Sequence, residues 1–324
     1  MSVRAFDWRD LPALYACRNR SIFLDSALVL TRGPLVVAGA LFSYAAPNLG
    51  VTTVARPVNE DNKPYFFGQV IQRRGSPFAH LTFLAPETAL EAGLQEASEL
   101  GEVLDALMIR SGEQGAFRLL ADVDEHTQAF EALRSSGFGI YTRQRIWQFG
   151  RQPDEFADAE SQNDCWRNVL HKDMMSIRTL YNNLVPGLVQ QVEPFMANQR
   201  LNGLMYHQDG NLMAFAELNY GPRGIWVQPF IHPDTTDVTR RLQSLLISLP
   251  NRRSRPIYVC VRSYQSWVEP ALEEMAASAG PQQAVMVKHL ALTQKALQPA
   301  QVPALETGQA EITTPIVRSE SRMK

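Results

Sequence analysis

What this sequence has little of narrows it before any motif is read. Only three cysteines occur in 324 residues, Cys17, Cys165 and Cys260. They lie far apart, show no metal-ligand spacing, and as an odd number cannot all be paired within the chain. A disulfide scaffold is excluded, and the expected state is reduced thiols in a cytoplasmic protein. Long apolar runs are missing too: Pro34 to Ala46 is shorter than the roughly 20 residues needed to cross a bilayer, and reads as a buried strand. Arg4, Asp7, Arg9 and Asp10 precede any apolar run, which does not fit a signal peptide. Neither sign of charge dominates, with 31 Lys and Arg against 33 Asp and Glu and a net charge of -2. Such a chain has no global field for nucleic acid or an anionic membrane, so neither is an expected partner. No Walker loop, Gly-x-Ser-x-Gly elbow or metal-spaced cluster of His, Cys and carboxylates appears, and no metal site is expected.

What is present is an ordinary globular composition, 45% hydrophobic and 20% charged. The length favours two domains. Between Gly150 and Asp164 the segment RQPDEFADAESQN is acidic and lacks apolar periodicity, as an exposed connector does. From about Gln298 the chain mixes Pro, Gln, Ser, Thr and charge with too few apolar residues to offset ordering entropy. The expected organisation is a domain at 1–150, a linker at 151–163, a second domain at 164–296 and a disordered tail at 297–324.

In the second half, GLMYH and NLMAFAEL flank Gln208-Asp209-Gly210, the signature of a hairpin. GIWVQPFIHP follows as a strand. From Asp237 a helix carries Val238, Leu242, Leu245, Leu246 and Leu249 on one face. Pro256-IYVCVRS, a short helix through Trp267, Leu272 and Met275, and Ala284-VMVKHLAL complete the order. The first half repeats it: strand FFGQVIQ, a turn at Arg74-Gly75-Ser76-Pro77, strand FAHLTFLAP, a long helix through Val103 and Leu107, strand AFRLLADV, a helix with Phe130 and Leu133, Gly137, and strand FGIYTRQRIWQF. Asp10-Leu11 and Asp173-Met174 occupy matching positions at the two openings, which points to a degenerate internal repeat. Asn48 to Pro64 reads as an irregular stretch.

This order, the opening VRAFDWRDLPALYACR and the closing EALRSSGFGIYTRQRIWQF together resemble the GNAT (N-acetyltransferase-like) superfamily. The resemblance implies an α/β fold with a mixed sheet, two GNAT-like acyl-CoA N-acyltransferase domains in tandem. It further implies acetyl-CoA as co-substrate, held in a V-shaped gap between two central strands, and a small-molecule or peptide amine as acceptor. In the family the pyrophosphate rests on the next helix N-terminus, over a glycine-bearing loop, where free N–H groups and the helix dipole attract anions.

Neither half carries those glycines. Pro86-Glu87-Thr88-Ala89-Leu90-Glu91 sets carboxylates at the first loop, and the family's tyrosine position, four residues before Gly137, is Leu133. The first half is therefore expected to be a scaffold. The second keeps Phe230, Ile231, Thr235, Thr236, Arg240 and Arg241 as candidate cofactor-binding residues, with Glu217 as base and Tyr264 as acid. Pro229 marks either the splayed strand the cofactor requires or an edge strand. Plainer readings stay open: Thr235 or Asp237 as a helix cap, the arginines as solvated charge, Glu217 as the polar face of a strand, Tyr264 as a lid on the core. His207 and His232 sit where a solvated histidine needs no role. The alternative to an acetyltransferase is a catalytically silent GNAT-like module that binds a small molecule or a protein partner.

Overall fold

The computed structural model describes residues 3–41, 50–57, 65–90, 94–150, 166–195 and 201–290. The expected linker and the tail from 297 lie outside them. The first half runs β1 (Arg4–Ala5), α1 (Leu11–Cys17), β2 (Ile22–Phe23), α2 (Ser26–Arg32), β3 (Val51–Arg56), β4 (Phe66–Ile71), β5 (Phe78–Ala85), α3 (Leu94–Glu113), β6 (Arg118–Asp124), α4 (Gln128–Ser135) and β7 (Gly139–Phe149). The second runs β8 (Arg167–Asn168), α5 (Met174–Leu184), α6 (Gly187–Val192), β9 (Gly203–Gln208), β10 (Asn211–Tyr220), β11 (Ile225–Ile231), α7 (Val238–Ile247), β12 (Ile257–Arg262), α8 (Glu269–Glu274) and β13 (Ser278–His289).

Local chemistry explains the main elements. Asp209 and Gly210 both take positive φ, as the two-residue turn between β9 and β10 demands. Thr127 caps α4 by accepting from the Phe130 N–H at 3.2 Å. Helix α3 buries Val103, Leu104 and Leu107 over β4, where Gly68 leaves room: a Cβ there would stand 2.6 Å from Leu107 Cδ1.

All described strands join one mixed sheet in the order β1-β3-β4-β5-β6-β13-β7-β12-β11-β10-β9-β8, with β2 added to β5. The two final strands are exchanged between the halves. β13, from the end of the second half, lies antiparallel between β6 and β7 of the first, and β7 pairs in turn with β12. One apolar cluster gathers α7 and α8 on the second half and another gathers α3 and α4 on the first. A third draws on both, bringing Leu120 and Tyr141 against Ile177, Phe215 and Phe230.

The repeat is visible in side chains. Arg4 grips Asp10 through two bonds of 2.7 and 2.6 Å, and Arg167 grips Asp173 through two of 2.7 and 2.9 Å, at the same six-residue spacing. Each carboxylate also accepts a backbone N–H three residues earlier, from Asp7 and from Leu170. Helices α4 and α8 close alike: Phe138 N–H returns to Leu133 and Ala277 N–H to Leu272, both at 3.0 Å, with Gly137 and Ala276 at positive φ.

Three sequence expectations are corrected. The described part of Pro34 to Ala46 is not a strand: Gly33–Ala38 is a 3-10 helix that continues helically to residue 41, because Val36, Val37 and Ala40 reach the core at helical spacing, and residues 42–46 lie outside the described set. Within the stretch read as irregular, Val51–Arg56 is β3, whose Thr52 and Thr53 are buried against Gln114 and Gln69; residues 48, 49 and 58–64 lie outside the described set. Asp237, one of the two expected caps, does stand at the N-cap of helix α7, but its side chain makes no capping hydrogen bond.

Candidate functional site

In each half a parallel pair of strands begins as a ladder and then parts. β5 pairs with β6 only over Phe78–His80 and Arg118–Leu120, and β11 pairs with β12 only over Ile225–Val227 and Ile257–Val259. Pro229 lies just past the second parting point, on an interior strand, with its partner Ala216 on β10. The edge-strand reading is thereby set aside, and the residue that lacks an N–H sits where the ladder has ended.

Both gaps are filled by the chain itself. In the first, β2 lies against β5, pairing Ile22 with Leu84 and Phe23 with Phe83. Leu24 then donates its N–H to Thr82 at 2.9 Å and accepts the Asp122 N–H at 2.8 Å, tying β5 to β6. In the second, the fully buried amide of Gln265 donates to Pro229 C=O at 3.0 Å and accepts from Ile231 N–H at 2.9 Å. These are backbone groups of the kind a pantetheine amide needs. They are already satisfied, so an acyl-CoA does not fit either gap as it stands.

Phosphate chemistry agrees. A cavity of about 580 Å³ beside the first gap is lined by Glu87, Asp122 and Asp124, with no lysine or arginine in its wall among the described residues. Glu87 spends its own N–H on Arg20 C=O at 2.7 Å. At the second loop Asp234 and Asp237 are exposed beside the start of α7, where carboxylates repel a pyrophosphate.

A different site lies at the centre of the sheet, a cavity of about 220 Å³ walled by both halves. β6 supplies Asp122, β7 Tyr141 and Gln144, β10 Phe215 and Glu217, β11 Trp226, Gln228 and Phe230, and β12 Arg262. The segment after α6 contributes Glu193. Arg262, 7% exposed, donates through Nη2 to Glu193 at 3.1 Å. The Tyr141 hydroxyl donates to the same carboxylate, and the Tyr181 hydroxyl to the Glu193 carbonyl at 2.5 Å.

The electrostatics follow from this burial. Desolvation raises the Glu217 carboxyl, against the pull of the Arg73 charge, and raises Asp122 against Arg262. Tyr141 is pushed well above its ordinary value by burial and by Glu193. Burial opposes the charge on Arg262, but Glu193, Tyr141, Cys260 and Tyr264 together hold the guanidinium protonated. The Cys260 thiol, buried on β12, is pushed up to about 12 by desolvation. Such a set can orient a charged small molecule in a low-dielectric space, where each contact is stronger than in water.

The sequence candidates separate into two groups. Glu217 and Phe230 line the cavity, and Tyr264 packs in the same apolar cluster as Phe230 with its hydroxyl pushed up by burial. The rest lie elsewhere. The Ile231 side chain is in the second-half core. Thr235 is buried, its hydroxyl donating to Met213 C=O at 3.3 Å, and Thr236 bonds Gln208. The Arg241 guanidinium covers the Tyr206 ring at 4.7 Å, and the half-buried Arg240 acts on the same tyrosine. None of these five lines the central cavity. By the repeat, the second counterpart of Leu133 is Leu272, also an apolar, fully buried residue, so neither half has a tyrosine there.

Arg262, Glu193, Asp122 and Tyr141 were not singled out as site residues by sequence. For Arg262 and Glu193 the signal is charge at the end of VCVR and within VQQVEPF, and these partners stand 69 residues apart.

No protein-family profile matches the chain, and no curated protein shows significant similarity to it. Solved structures do resemble it. A GCN5-related N-acetyltransferase from Sphaerobacter thermophilus superposes with a TM-score of 0.53 at 11% identity, covering 89% of this chain and 95% of the other. A tandem GNAT protein from the clavulanic acid biosynthesis pathway, solved without AcCoA, gives 0.52 at 12% identity, covering 90% and 98%. The chain thus has the GNAT acetyltransferase fold.

Proposed function

We propose that this chain is a catalytically silent GNAT-fold binding protein, whose central cavity receives a small polar molecule. The observation that carries the reading is that both cofactor gaps are closed by the chain's own hydrogen-bonding groups, Leu24 in one and Gln265 in the other. Leucine at both tyrosine positions and the carboxylates beside each loop support it. The halves, 1–150 and 164–296, act on this reading as two walls of one site. Cys17 and Cys260 are free, and no helix among the described residues is long and apolar enough to cross a membrane, which supports a cytoplasmic setting.

A second reading keeps an acetyltransferase in the second half, passing an acetyl group from acetyl-CoA to an amine, with Glu217 and Tyr264 beside it. One feature favours it: the gap at Pro229 is bridged by a single side chain, Gln265. Titrating acetyl-CoA into the full chain in a calorimeter separates the two. The binding reading expects neither heat nor thermal shift, for the wild type and for Gln265→Ala. Micromolar binding by the wild type restores the acetyltransferase.

A further inference from the structure

The central cavity holds more unanswered chemistry than a generic polar pocket. Arg262 is more than nine-tenths buried and uses one nitrogen, Nη2, on Glu193; its Nε and Nη1 have no hydrogen-bond partner among the described residues. A buried guanidinium with two idle donors is costly unless an anionic oxygen completes it. Nearby, Glu217 makes no hydrogen bond or ion pair among the described residues. The other carboxylates have partners: Asp25 caps α2 through the Leu28 N–H at 2.9 Å, Asp122 accepts the Ser26 N–H at 3.2 Å, and Glu193 holds Arg262 and Tyr141. Arg73 is exposed and forms no ion pair with Glu217, and His80 packs edge-on against Phe78.

The cavity thus presents a guanidinium with two idle donors, Arg262, and a carboxylate with no hydrogen bond or ion pair among the described residues, Glu217, with Arg73 as a further cation at the wall. The wall also carries aromatic rings: Phe230 stacks on Phe215 at 5.9 Å and meets Tyr181 at 5.7 Å. Such faces accept an ammonium group or an apolar side chain. The volume, about 220 Å³, suits a molecule much smaller than a coenzyme.

We infer that the cavity binds a small zwitterion of the amino-acid class, its carboxylate on Arg262 and its ammonium on Glu217. The inference rests on the central cavity being a binding site, and names what fills it. Both charges are required, because a carboxylate alone leaves Glu217 without a partner and an amine alone leaves Nε and Nη1 of Arg262 idle.

The test is a thermal-shift and calorimetric panel on the full chain, using the protein amino acids, β-alanine and γ-aminobutyrate. Each compound that binds is then compared with its decarboxylated amine and its deaminated acid. The expected result is binding by at least one amino acid, with both truncated forms weaker by at least about tenfold. Glu217→Gln, which keeps the shape and removes the charge, should cost the amino acid at least about tenfold and leave the deaminated acid unchanged. Arg262→Lys is expected to lose the amino acid more than the amine; if it fails to fold, the Glu217→Gln comparison stands by itself. No binding across the panel at millimolar concentration overturns the inference, as does an amine or acid that binds as tightly as its parent. The binding-protein reading fails separately, on acetyl-CoA binding by the wild type.

Discussion

Asp10 and Asp173 do the same work in the two halves, each closing a short loop by binding an arginine and a backbone N–H. For Asp173 the bonds from Arg167 outweigh desolvation and bring its carboxyl down to about 2. A carboxyl lowered on folding contributes stability above its ordinary value, and that contribution is lost as pH falls toward the folded value. Urea unfolding at pH 6 should show Asp173→Asn less stable than the wild type, and the difference should shrink steadily to pH 2.5. A difference that is flat with pH contradicts the assignment. Gln265 offers a second residue-level check: Gln265→Ala leaves the buried Pro229 C=O and Ile231 N–H unanswered and should cost about 2–4 kcal/mol in denaturant unfolding. The aspartates were legible as matching positions in the sequence. The role of Gln265 was not, since a side chain that closes a strand gap 34 residues away leaves no periodicity to read.

Among the elements, β13 decides how the halves depend on each other. It supplies a ladder to β6 from Gln283 to His289 and another to β7 from Ser278 to Val287, so the first half lacks a central strand without it. A fragment of residues 1–150 should therefore fail to give a sharp unfolding transition by circular dichroism, while co-expression with 164–324 should restore soluble, folded material. A monomeric and cooperatively folded 1–150 fragment shows that the exchange is dispensable. Most strands and helices were visible beforehand because their apolar period is clean, as in β11 and α7. Two segments were not. β3 carries Thr52 and Thr53 inward, where glutamine partners make burial acceptable, so it looked too polar. The segment after Gly33 is apolar at every position, and such a run does not distinguish strand from helix.

At the scale of the molecule the described residues form one compact unit, with a core cluster that takes Leu120, Val285 and Phe230 together. Scanning calorimetry should show a single transition whose calorimetric and van't Hoff enthalpies agree; two resolved peaks refute this coupling. The sequence by itself determined the GNAT-like order of elements, the repeat, and the loss of the phosphate loops. Each of these is written in local periodicity, glycine placement and charge, which act within a few residues. Only the tertiary structure decided which half β13 completes, that Leu24 and Gln265 close the two gaps, and that Arg262 and Glu217 share a cavity with Phe230. Those outcomes depend on groups far apart in the chain meeting in a dry interior. There, each backbone amide, carboxylate and guanidinium must find a partner or pay for its absence, and no local pattern records which partner it finds.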